Sequence, residues 1–434
     1  MSNAISGFSK KSKAEKIAWI CRQFKDPATA QSLLETYWHE DPQTQKKHDE
    51  FIENTLSNFF LPLGVAPNFL INGKYYTLPM VIEESSVVAA AGKAAKYWAD
   101  KGGFTAKVLQ VEKVGQVHFM CSQPQAFVHE FFTATKDQWL DSCQPLLASM
   151  KKRGGGLLDI KLIDKTDKLE NYYQLHVTFD TRDAMGANFI NSVLEQLADS
   201  MRETSRSYAA FTDLETPIDV VMSILSNYVP NCIVRAEVRC PIENLEPEEG
   251  LTPRDFAHKM IQAVQIAKIE PYRAVTHNKG IMNGVDAVVL ATGNDFRAIE
   301  AGVHAYAAKE GHYQSLSHAF LENDDFIFQL DLPLAVGTVG GLTQLHPMVR
   351  WSLELLGQPS AEELMQIIAV AGLAQNFAAL RSLVTSGIQK GHMKMHLLNI
   401  LNQLGATETQ KKEAITYFKT HKVSHSAVQD FLNT

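Results

Sequence analysis

The chain has 434 residues, of which 45% are hydrophobic and 21% charged, and its formal net charge at pH 7 is -7. This length allows two or three domains, and the composition is typical of a soluble globular protein. The mild negative charge gives no reason to expect a nucleic-acid-binding protein, which would carry a broad basic face. The five cysteines are scattered and form no CxxC motif, which predicts free thiols in a reducing compartment.

The termini and apolar runs predict a cytoplasmic protein. The N-terminus is polar as far as Glu15, and the apolar run that follows is too short for the core of a secretory signal peptide. The most membrane-like stretch, residues 365–384, contains two glutamines, an asparagine and an arginine. It therefore predicts a buried helix rather than a membrane span.

The first hundred residues predict mainly helix. Residues 1–60 are typical of helices with polar faces, and the alanine-rich stretch 86–97 predicts a helix that ends before Gly102. Glu83 and Glu84 precede this second helix. Capping is their simplest role, because the helix dipole favours carboxylates at that end.

From about residue 108 the apolar period changes to two. Alternation within 117–121, 158–162, 173–179 and 234–240 predicts half-buried, antiparallel strands. A helical segment at about 184–202 lies between two of them. The region 109–223 therefore predicts a small α+β domain inserted in a larger, more helical one.

The rest of the chain is again largely helical. Thr252 and Pro253 are a suitable N-cap and first residue for a helix that reaches about residue 269. The stretch 281–292 could be strand, but its apolar spacing favours a buried helix. A helix at 295–308, a strand at 326–332 and helices from residue 360 onward follow, with glycines at 387 and 391 as a possible hinge.

Several common catalytic motifs are absent from the sequence. It contains no GxGxxG, GxxxxGK[ST], HExxH or GxSxG, so no motif supports a Rossmann site, a P-loop, a zincin or a serine hydrolase. The glycine-rich stretches 154–156 and 337–341 favour turns, although either would let backbone approach a ligand closely.

Six polar motifs occur in one order along the chain. They are ESSVVAA at 84–90, DAMGAN at 183–188, HNKGIMNG at 277–284, GND at 293–295, GLAQN at 372–376 and GIQKGHM at 387–393. This series resembles the 3-hydroxy-3-methylglutaryl-CoA reductase family, specifically its soluble class II bacterial form. The resemblance runs from about residue 53 to about residue 404.

The resemblance implies a reaction and four catalytic residues. Two hydrides from two nicotinamide cofactors would convert the thioester of 3-hydroxy-3-methylglutaryl-CoA to mevalonate and CoA, or the reverse oxidation would run. Lys279 matches the lysine that stabilises the developing oxyanion, and Glu84 the glutamate that supplies protons to the carbonyl oxygen. Asp295 matches the aspartate that bridges these two. His392 matches the histidine that protonates the departing CoA thiolate.

The resemblance also implies binding residues and no metal. Positions matching those that hold the acyl group or lie near the substrate are Ser86, Arg273, Asn283 and Gln375. Positions matching the cofactor region are Asp183, Met185, Gly186, Asn188 and Asn227.

The residue chemistry agrees with these roles. A lysine is a compact point charge suited to a developing oxyanion, and a histidine titrating near neutral pH suits protonation of a thiolate. Taken singly, however, Lys279 is typical of a surface residue and Asp295 of an ordinary acid at a helix N-terminus. His392 and His396 have the i, i+4 spacing of metal ligands, but no third ligand motif accompanies them.

The implied fold is α+β. A large, mainly helical substrate-binding domain would comprise residues 1–108 and 224–384. A small antiparallel, non-Rossmann cofactor domain would comprise 109–223, and a C-terminal helical flap 385–434. The family's fold also implies a homodimer with active sites at the subunit interface.

Two departures from the family pattern and one alternative function stay open. Ser85 stands where a proline is usual, and Thr55-Leu56-Ser57 follows Glu53-Asn54 where Val and a small apolar residue are common. The alternative is a non-catalytic CoA-binding regulatory protein that retains the fold, which the presence of all four catalytic residues disfavours. The physiological direction of the reaction is not determined by the sequence.

One stretch predicts the cofactor preference. The resemblance implies that relatives preferring NAD have an aspartate in the helix before the triple glycine. In this chain that stretch, residues 144–150, contains no acid. They lead directly into Lys151-Lys152-Arg153, and cations favour the 2′-phosphate of NADP. NADPH is therefore predicted to be favoured, with NADH possible. The alternative is that these three residues form a solvated surface cluster.

Overall fold

The computed structural model describes residues 4–211, 217–247, 250–385, 387, 397–418, 420–421 and 423–433. The chain divides into two compact units, Met1–Pro62 and Leu63–Thr434.

The described residues of the first unit form three short α-helices, as its polar sequence predicts. They are α1 (Lys13–Cys21), α2 (Pro27–Thr36) and α3 (Pro42–Asp49), and each begins after a Ser or Asp whose side chain accepts a backbone N–H of the first turn. Lys13 Nζ lies 2.7 Å from Asp49 Oδ1 and joins α1 to α3.

The second unit begins with a hairpin and a helix. Strands β1 (Leu63–Ile71) and β2 (Lys74–Val81) pair antiparallel, and α4 (Val87–Ala99) packs on β1. A four-stranded antiparallel sheet follows in the order β3-β8-β10-β9. Its members are β3 (Thr105–Val108), β8 (Ile233–Pro241), β9 (Ser317–Glu322) and β10 (Asp325–Pro333).

A separate antiparallel sheet has the order β5-β6-β4-β7. Its strands are β4 (Lys113–Met120), β5 (Gly156–Asp164), β6 (Tyr172–Asp180) and β7 (Asp219–Leu225). The helices α5 (Gln125–Ser142), α6 (Gln144–Lys152) and α7 (Ala187–Ser207) accompany it. Inward side chains such as Phe119, Trp139 and Leu197 form a hydrophobic core of their own.

The larger core is built around two long helices. α9 (Pro271–Ala291) packs along α13 (Ala361–Val384), and their buried faces belong to one hydrophobic cluster with α4, β8 and β10. The ambiguous stretch 281–292 is thus almost entirely helix, as its apolar spacing predicts. α13 is long and apolar enough to span a membrane, but most of it is buried inside the protein, as expected of a core helix.

Further helices complete the second unit. α8 (Pro253–Ile269) begins where predicted, with the Thr252 side chain accepting the Asp255 N–H. α10 (Phe296–Ala307), α11 (Leu342–Leu345) and α12 (Pro347–Leu355) follow. Near the C-terminus, residues 397–403 are helical, and helices Glu408–Tyr417 and His425–Leu432 share a small core with them. The predicted α+β class is confirmed.

Glycine makes the crossing of α9 and α13 possible. A Cβ on Gly284 would lie 2.4 Å from the carbonyl oxygen of Ala371, closer than any real contact of this type. Gly284→Ala is therefore expected to lower the free energy of unfolding by about 2 kcal/mol, because a buried backbone contact has to open. Urea denaturation measures the change.

The matched control is Gly280→Ala on the same helix, where an added Cβ meets nothing within 4 Å. It should be neutral or stabilising, since alanine is the better helix former by about 1 kcal/mol. Equal stabilities for the two variants would contradict a close crossing at Gly284.

Candidate active site

Lys279 and Glu84 form the centre of the candidate site. Lys279 Nζ, on α9, lies 2.7 Å from Glu84 Oε2, in the loop before α4. The two side chains are 59% and 40% exposed, so this is a solvent-accessible ion pair that contributes little to stability. The expected capping role of Glu84 is wrong, because its carboxylate reaches Lys279, and Ser86 stands at the N-cap of α4 with no side-chain cap bond.

A cavity of about 470 Å³ surrounds this pair. That volume lies within the usual range for small-molecule sites. Six of the residues assigned to catalysis or substrate binding line the cavity: Glu84, Ser86, Arg273, Lys279, Asn283 and Gln375. Two further cations, Lys93 and Arg381, line it as well.

The two faces of α9 explain how Lys279 is positioned. Lys279 and Asn283 are spaced i, i+4 and share one face of the helix, which borders the cavity. The preceding residues, His277 and Asn278, are buried, and His277 also borders the cavity. Asn278 Nδ2 donates to the Gln314 carbonyl (2.9 Å), and its Oδ1 accepts the Leu316 N–H (3.1 Å), so α9 is fastened to the chain before β9.

His277 forms the second fastening. Its Nε2 lies 2.7 Å from Ser317 Oγ and 3.0 Å from Ser315 Oγ. Burial, together with the nearby positive charge of Arg273, lowers the pKa of His277 to about 3. The imidazole is therefore neutral in the folded protein at neutral pH.

Asp295 lies apart from the cavity within one chain. It is the N-cap of α10, where Oδ1 accepts the N–H groups of Arg297 (3.1 Å) and Ala298 (3.2 Å). Partial burial acts to raise the pKa of this carboxyl, but the Arg297 guanidinium and the helix N–H groups outweigh it and hold the pKa below its usual value. Asp295 is thus an anion with a capping role, and its bridging role stays a prediction.

The fourth predicted catalytic residue, His392, lies outside the described residues, as does His396. The protonation role of His392 and the hinge at Gly391 therefore stay predictions.

The predicted cofactor residues surround the start of α7. Gly186 is its N-cap with φ 96°, and a Cβ there would lie 2.5 Å from Thr181 Cγ2, so only glycine fits. Asp183 Oδ1 accepts the Ala361 N–H (2.8 Å) at the start of α13. Asn188 is exposed in the first turn of α7. Met185 and Asn227 line one small cavity beside it.

The triple glycine is a turn, as its composition favours, and it lies against this region. Gly154 and Gly155 donate to the carbonyls of Lys151 and Met150 and end α6. Arg182 Nε donates to the Gly154 carbonyl (2.9 Å), which holds the turn beside Asp183. The exposed cations 151–153 therefore lie next to the chain segment that leads into α7.

A search for metal ligands among the described residues finds no group of three or more His, Cys, Asp or Glu side chains that could hold an ion. The five cysteines are all buried and unpaired.

Sequence reasoning missed one buried cation. Lys113 is only 5% exposed at the first position of β4. It lines both the small cavity of Met185 and Asn227 and a second, polar cleft of about 200 Å³. The signal was present in the sequence, because Lys113 is in phase with the buried residues Gly115, Val117 and Phe119 of an alternating strand.

Comparison with known proteins identifies relatives over most of the chain. The sequence model of the family described as hydroxymethylglutaryl-coenzyme A reductase matches residues 14–397. The 3-hydroxy-3-methylglutaryl-coenzyme A reductase of Archaeoglobus fulgidus is 39% identical over 363 residues, which cover 83% of this chain and 78% of the relative. A probable reductase of the same kind from Borreliella burgdorferi is 35% identical over 361 residues, covering 82% and 80%.

Solved structures also match this chain over most of its length. The class II 3-hydroxy-3-methylglutaryl-CoA reductase from Streptococcus pneumoniae, bound to NADPH in open conformations, matches with a TM-score of 0.71 and 39% identity. That match covers 88% of this chain and 100% of the other. A second structure of the Streptococcus pneumoniae enzyme has a TM-score of 0.72 and 37% identity, and covers 99% of both chains.

The neutral, buried His277 predicts a specific acid sensitivity. Its folded-state pKa is depressed, so its stabilising contribution is present above about pH 6.5 and is lost as pH falls from there towards 3. His277→Gln should remove this dependence. The difference in unfolding free energy between wild type and variant is then expected to shrink by about 1.4 kcal/mol per pH unit below pH 6.5.

Urea denaturation at pH 7.5, 6 and 5 measures this difference, with His312→Gln as the control at an exposed histidine. A wild-type-to-variant difference that stays constant across these pH values would rule out a buried neutral imidazole at position 277.

Proposed function

The chain belongs to the hydroxymethylglutaryl-coenzyme A reductase family, and we propose that it converts 3-hydroxy-3-methylglutaryl-CoA to mevalonate and CoA at the cavity around Lys279 and Glu84, with NADPH as reductant. The ion pair of these two residues is the single observation that carries the site assignment. It joins two motifs that lie 195 residues apart in the sequence.

NADPH supplies the two hydrides when bound. The family's fold implies that it binds through residues 109–223, the small domain of the proposed division. The residues present there fit the cofactor: the segment 183–188, exposed at its two ends and half-buried between them, opens a 21-residue helix, and four cations (Lys151, Lys152, Arg153 and Arg182) lie beside it. Such cations suit a 2′-phosphate. The NADPH-bound Streptococcus pneumoniae structure supports the same choice.

Lys279 would act where negative charge appears. Hydride addition to the thioester carbonyl turns its oxygen into an oxyanion, which an ammonium group within hydrogen-bond distance stabilises. Glu84, at 2.7 Å from Lys279 Nζ, is placed to supply a proton to the same oxygen. Collapse of the resulting hemithioacetal returns its hydroxyl proton to Glu84 and breaks the C–S bond, and the departing thiolate takes a proton, for which His392 is the proposed donor. In the second reduction the aldehyde carbon accepts a hydride, and its oxygen takes the proton from Glu84 to give the alcohol.

The remaining lining residues suit the rest of the substrate. Ser86, Arg273, Asn283 and Gln375 would hold the acyl group, whose free carboxylate favours a cation such as Arg273. Lys93 and Arg381 suit the phosphates of CoA.

Asp295 would complete the site from a second subunit. Within one chain it caps α10 and does not line the cavity, whereas the family's fold implies a homodimer with active sites between subunits. The exposed apolar residues beside Lys279 on α9, Tyr272 and Val275, are 87% and 54% exposed and are consistent with a covered face in such a dimer. The proposal also includes a cytoplasmic location for the protein and a C-terminal flap formed by residues 385–434.

Loss of the Lys279 ammonium tests the site. Lys279→Ala is expected to lower kcat by about 10²-fold or more, equivalent to about 3 kcal/mol, by analogy with removal of an oxyanion donor. The assay follows NADPH oxidation and CoA release from the thioester substrate. Lys259→Ala, which truncates an exposed lysine on α8, is the control. Near-normal turnover in a folded Lys279→Ala protein would contradict the assignment of Lys279 as the residue that stabilises the oxyanion.

The cofactor preference is tested by steady-state kinetics of the wild-type protein. We expect a higher kcat/KM with NADPH than with NADH, and a smaller ratio between them when Lys151, Lys152 and Arg153 are changed together to Gln, because the 2′-phosphate then loses its cations. A clearly higher kcat/KM with NADH would mean that these cations are ordinary surface charge. If neither cofactor supports turnover in either direction, only the non-catalytic CoA-binding alternative remains.

A further inference from the structure

Lys113 carries a buried charge that the proposed reaction does not use. Its side chain leaves the first residue of β4 and is 5% exposed, and burial lowers the pKa of its ammonium group. A lysine is rarely placed in such a position, because removing an ammonium group from water costs several kcal/mol unless hydrogen bonds replace the solvent. The partners of Lys113 therefore indicate what the charge is for.

Those partners belong to the segment that leads into α7. Lys113 Nζ donates to Thr181 Oγ1 (2.5 Å) and to the Ala184 carbonyl (2.8 Å). Thr181 Oγ1 donates in turn to the Ala184 carbonyl (2.7 Å). The ammonium, the hydroxyl and the carbonyl thus form a closed triangle beneath the turn 181–186.

The other side of the same turn is held by backbone. The Asp183 carbonyl accepts the N–H groups of Thr338 (2.8 Å) and Val339 (3.3 Å), and its carboxylate accepts the Ala361 N–H (2.8 Å). These bonds fasten Asp183 itself. Among the described residues, the hydrogen bonds to the Ala184 carbonyl come from Lys113 and Thr181.

We propose that Lys113 is a positioning residue for the cofactor: its buried ammonium fixes the Ala184–Gly186 half of the turn and so sets the direction in which Met185, Gly186 and the first turn of α7 face the nicotinamide cofactor. This inference rests on the proposed function, because it takes the 183–188 segment as the cofactor site.

Two features of the neighbourhood support this role. Gly186 has no room for a side chain because Thr181 lies against it, so movement of Thr181 is transmitted directly to the N-cap of α7. Lys113 also borders the small cavity lined by Met185 and Asn227, both assigned to the cofactor. The Lys113 ammonium therefore lies behind the proposed binding segment and contacts it at Thr181 and Ala184.

The decisive variant is Lys113→Met, which keeps the length of the side chain and removes its donors. Direct binding of NADPH, followed by fluorescence, is expected to weaken about tenfold, as for loss of a charged hydrogen bond. Binding of 3-hydroxy-3-methylglutaryl-CoA to the Lys279 cavity should change less than twofold. In turnover, KM for NADPH should rise more than kcat falls, and Lys113→Arg should restore part of the affinity.

Lys136→Met is the matched control. Its ammonium also donates to a backbone carbonyl, that of Ile160 on β5 of the same sheet (2.9 Å), but it lies outside the turn. It should leave the Kd for NADPH unchanged. Thr181→Val, which removes the hydroxyl of the triangle and keeps the shape of the side chain, should weaken NADPH binding in the same direction and decides the matter if Lys113→Met does not fold.

Wild-type affinity for NADPH in folded Lys113→Met, or equal losses of NADPH and acyl-CoA binding, would overturn the inference while leaving the proposed function intact. Asn188→Ala tests the cofactor site itself. If the wild-type protein turns over and Asn188→Ala binds NADPH with unchanged affinity, the cofactor does not bind at 183–188. That result would overturn the cofactor assignment and the inference together.

Discussion

The close crossing of α9 on α13 is the contact on which the candidate site depends. Gly284 lies directly against the Ala371 carbonyl, and the space for a side chain at Gly372 is taken by Val285 and Ile281. With one face of α9 committed to this crossing, the face that carries Lys279 and Asn283 has to border the cavity. Gln375, one turn further along α13, borders the same cavity for the same reason.

Consecutive residues of α9 carry out opposite electrostatic tasks. His277 and Asn278 are buried and neutral, and both fasten the helix to the 314–317 segment. Lys279 is exposed and pairs with Glu84 across the cavity. Because an exposed pair contributes little to stability, its charges stay available to a substrate, while the neutral residues beside it supply the rigidity that a catalytic group needs.

The segment around α7 is organised on a different principle. It is held by hydrogen bonds from three directions: the N–H groups of 338–339 and the ammonium of Lys113 reach its backbone, and the start of α13 donates to the Asp183 carboxylate. The 337–341 glycine stretch, whose composition favours a turn, reaches the GND motif too, since the Gly337 N–H donates to Asn294 Oδ1 (2.8 Å). The cap of α10 and the proposed cofactor turn are therefore joined through one backbone segment.

Local sequence was sufficient wherever a single period dominates. Alternation predicted β6, and helical spacing with a Thr-Pro start predicted α8, because half-buried strands and amphipathic helices record their own burial in the order of their residues. The order of six motifs indicated the family and, through it, six of the residues that line the cavity. The separate roles came through that resemblance, since no spacing in the chain distinguishes Lys279 from a surface lysine.

Tertiary structure decided whatever depends on a distant partner. Glu84 looked like a helix-capping acid until Lys279, 195 residues away, proved to be its partner. Lys113 followed the buried phase of β4, but only the turn at 181–184 explains why a charge is tolerated there. Asp295, conversely, caps its own helix as its local sequence suggested. Helix caps and alternating strands depend on neighbours within a few residues, whereas an ion pair or a buried ammonium is determined by which remote atoms the folded chain brings within hydrogen-bond distance.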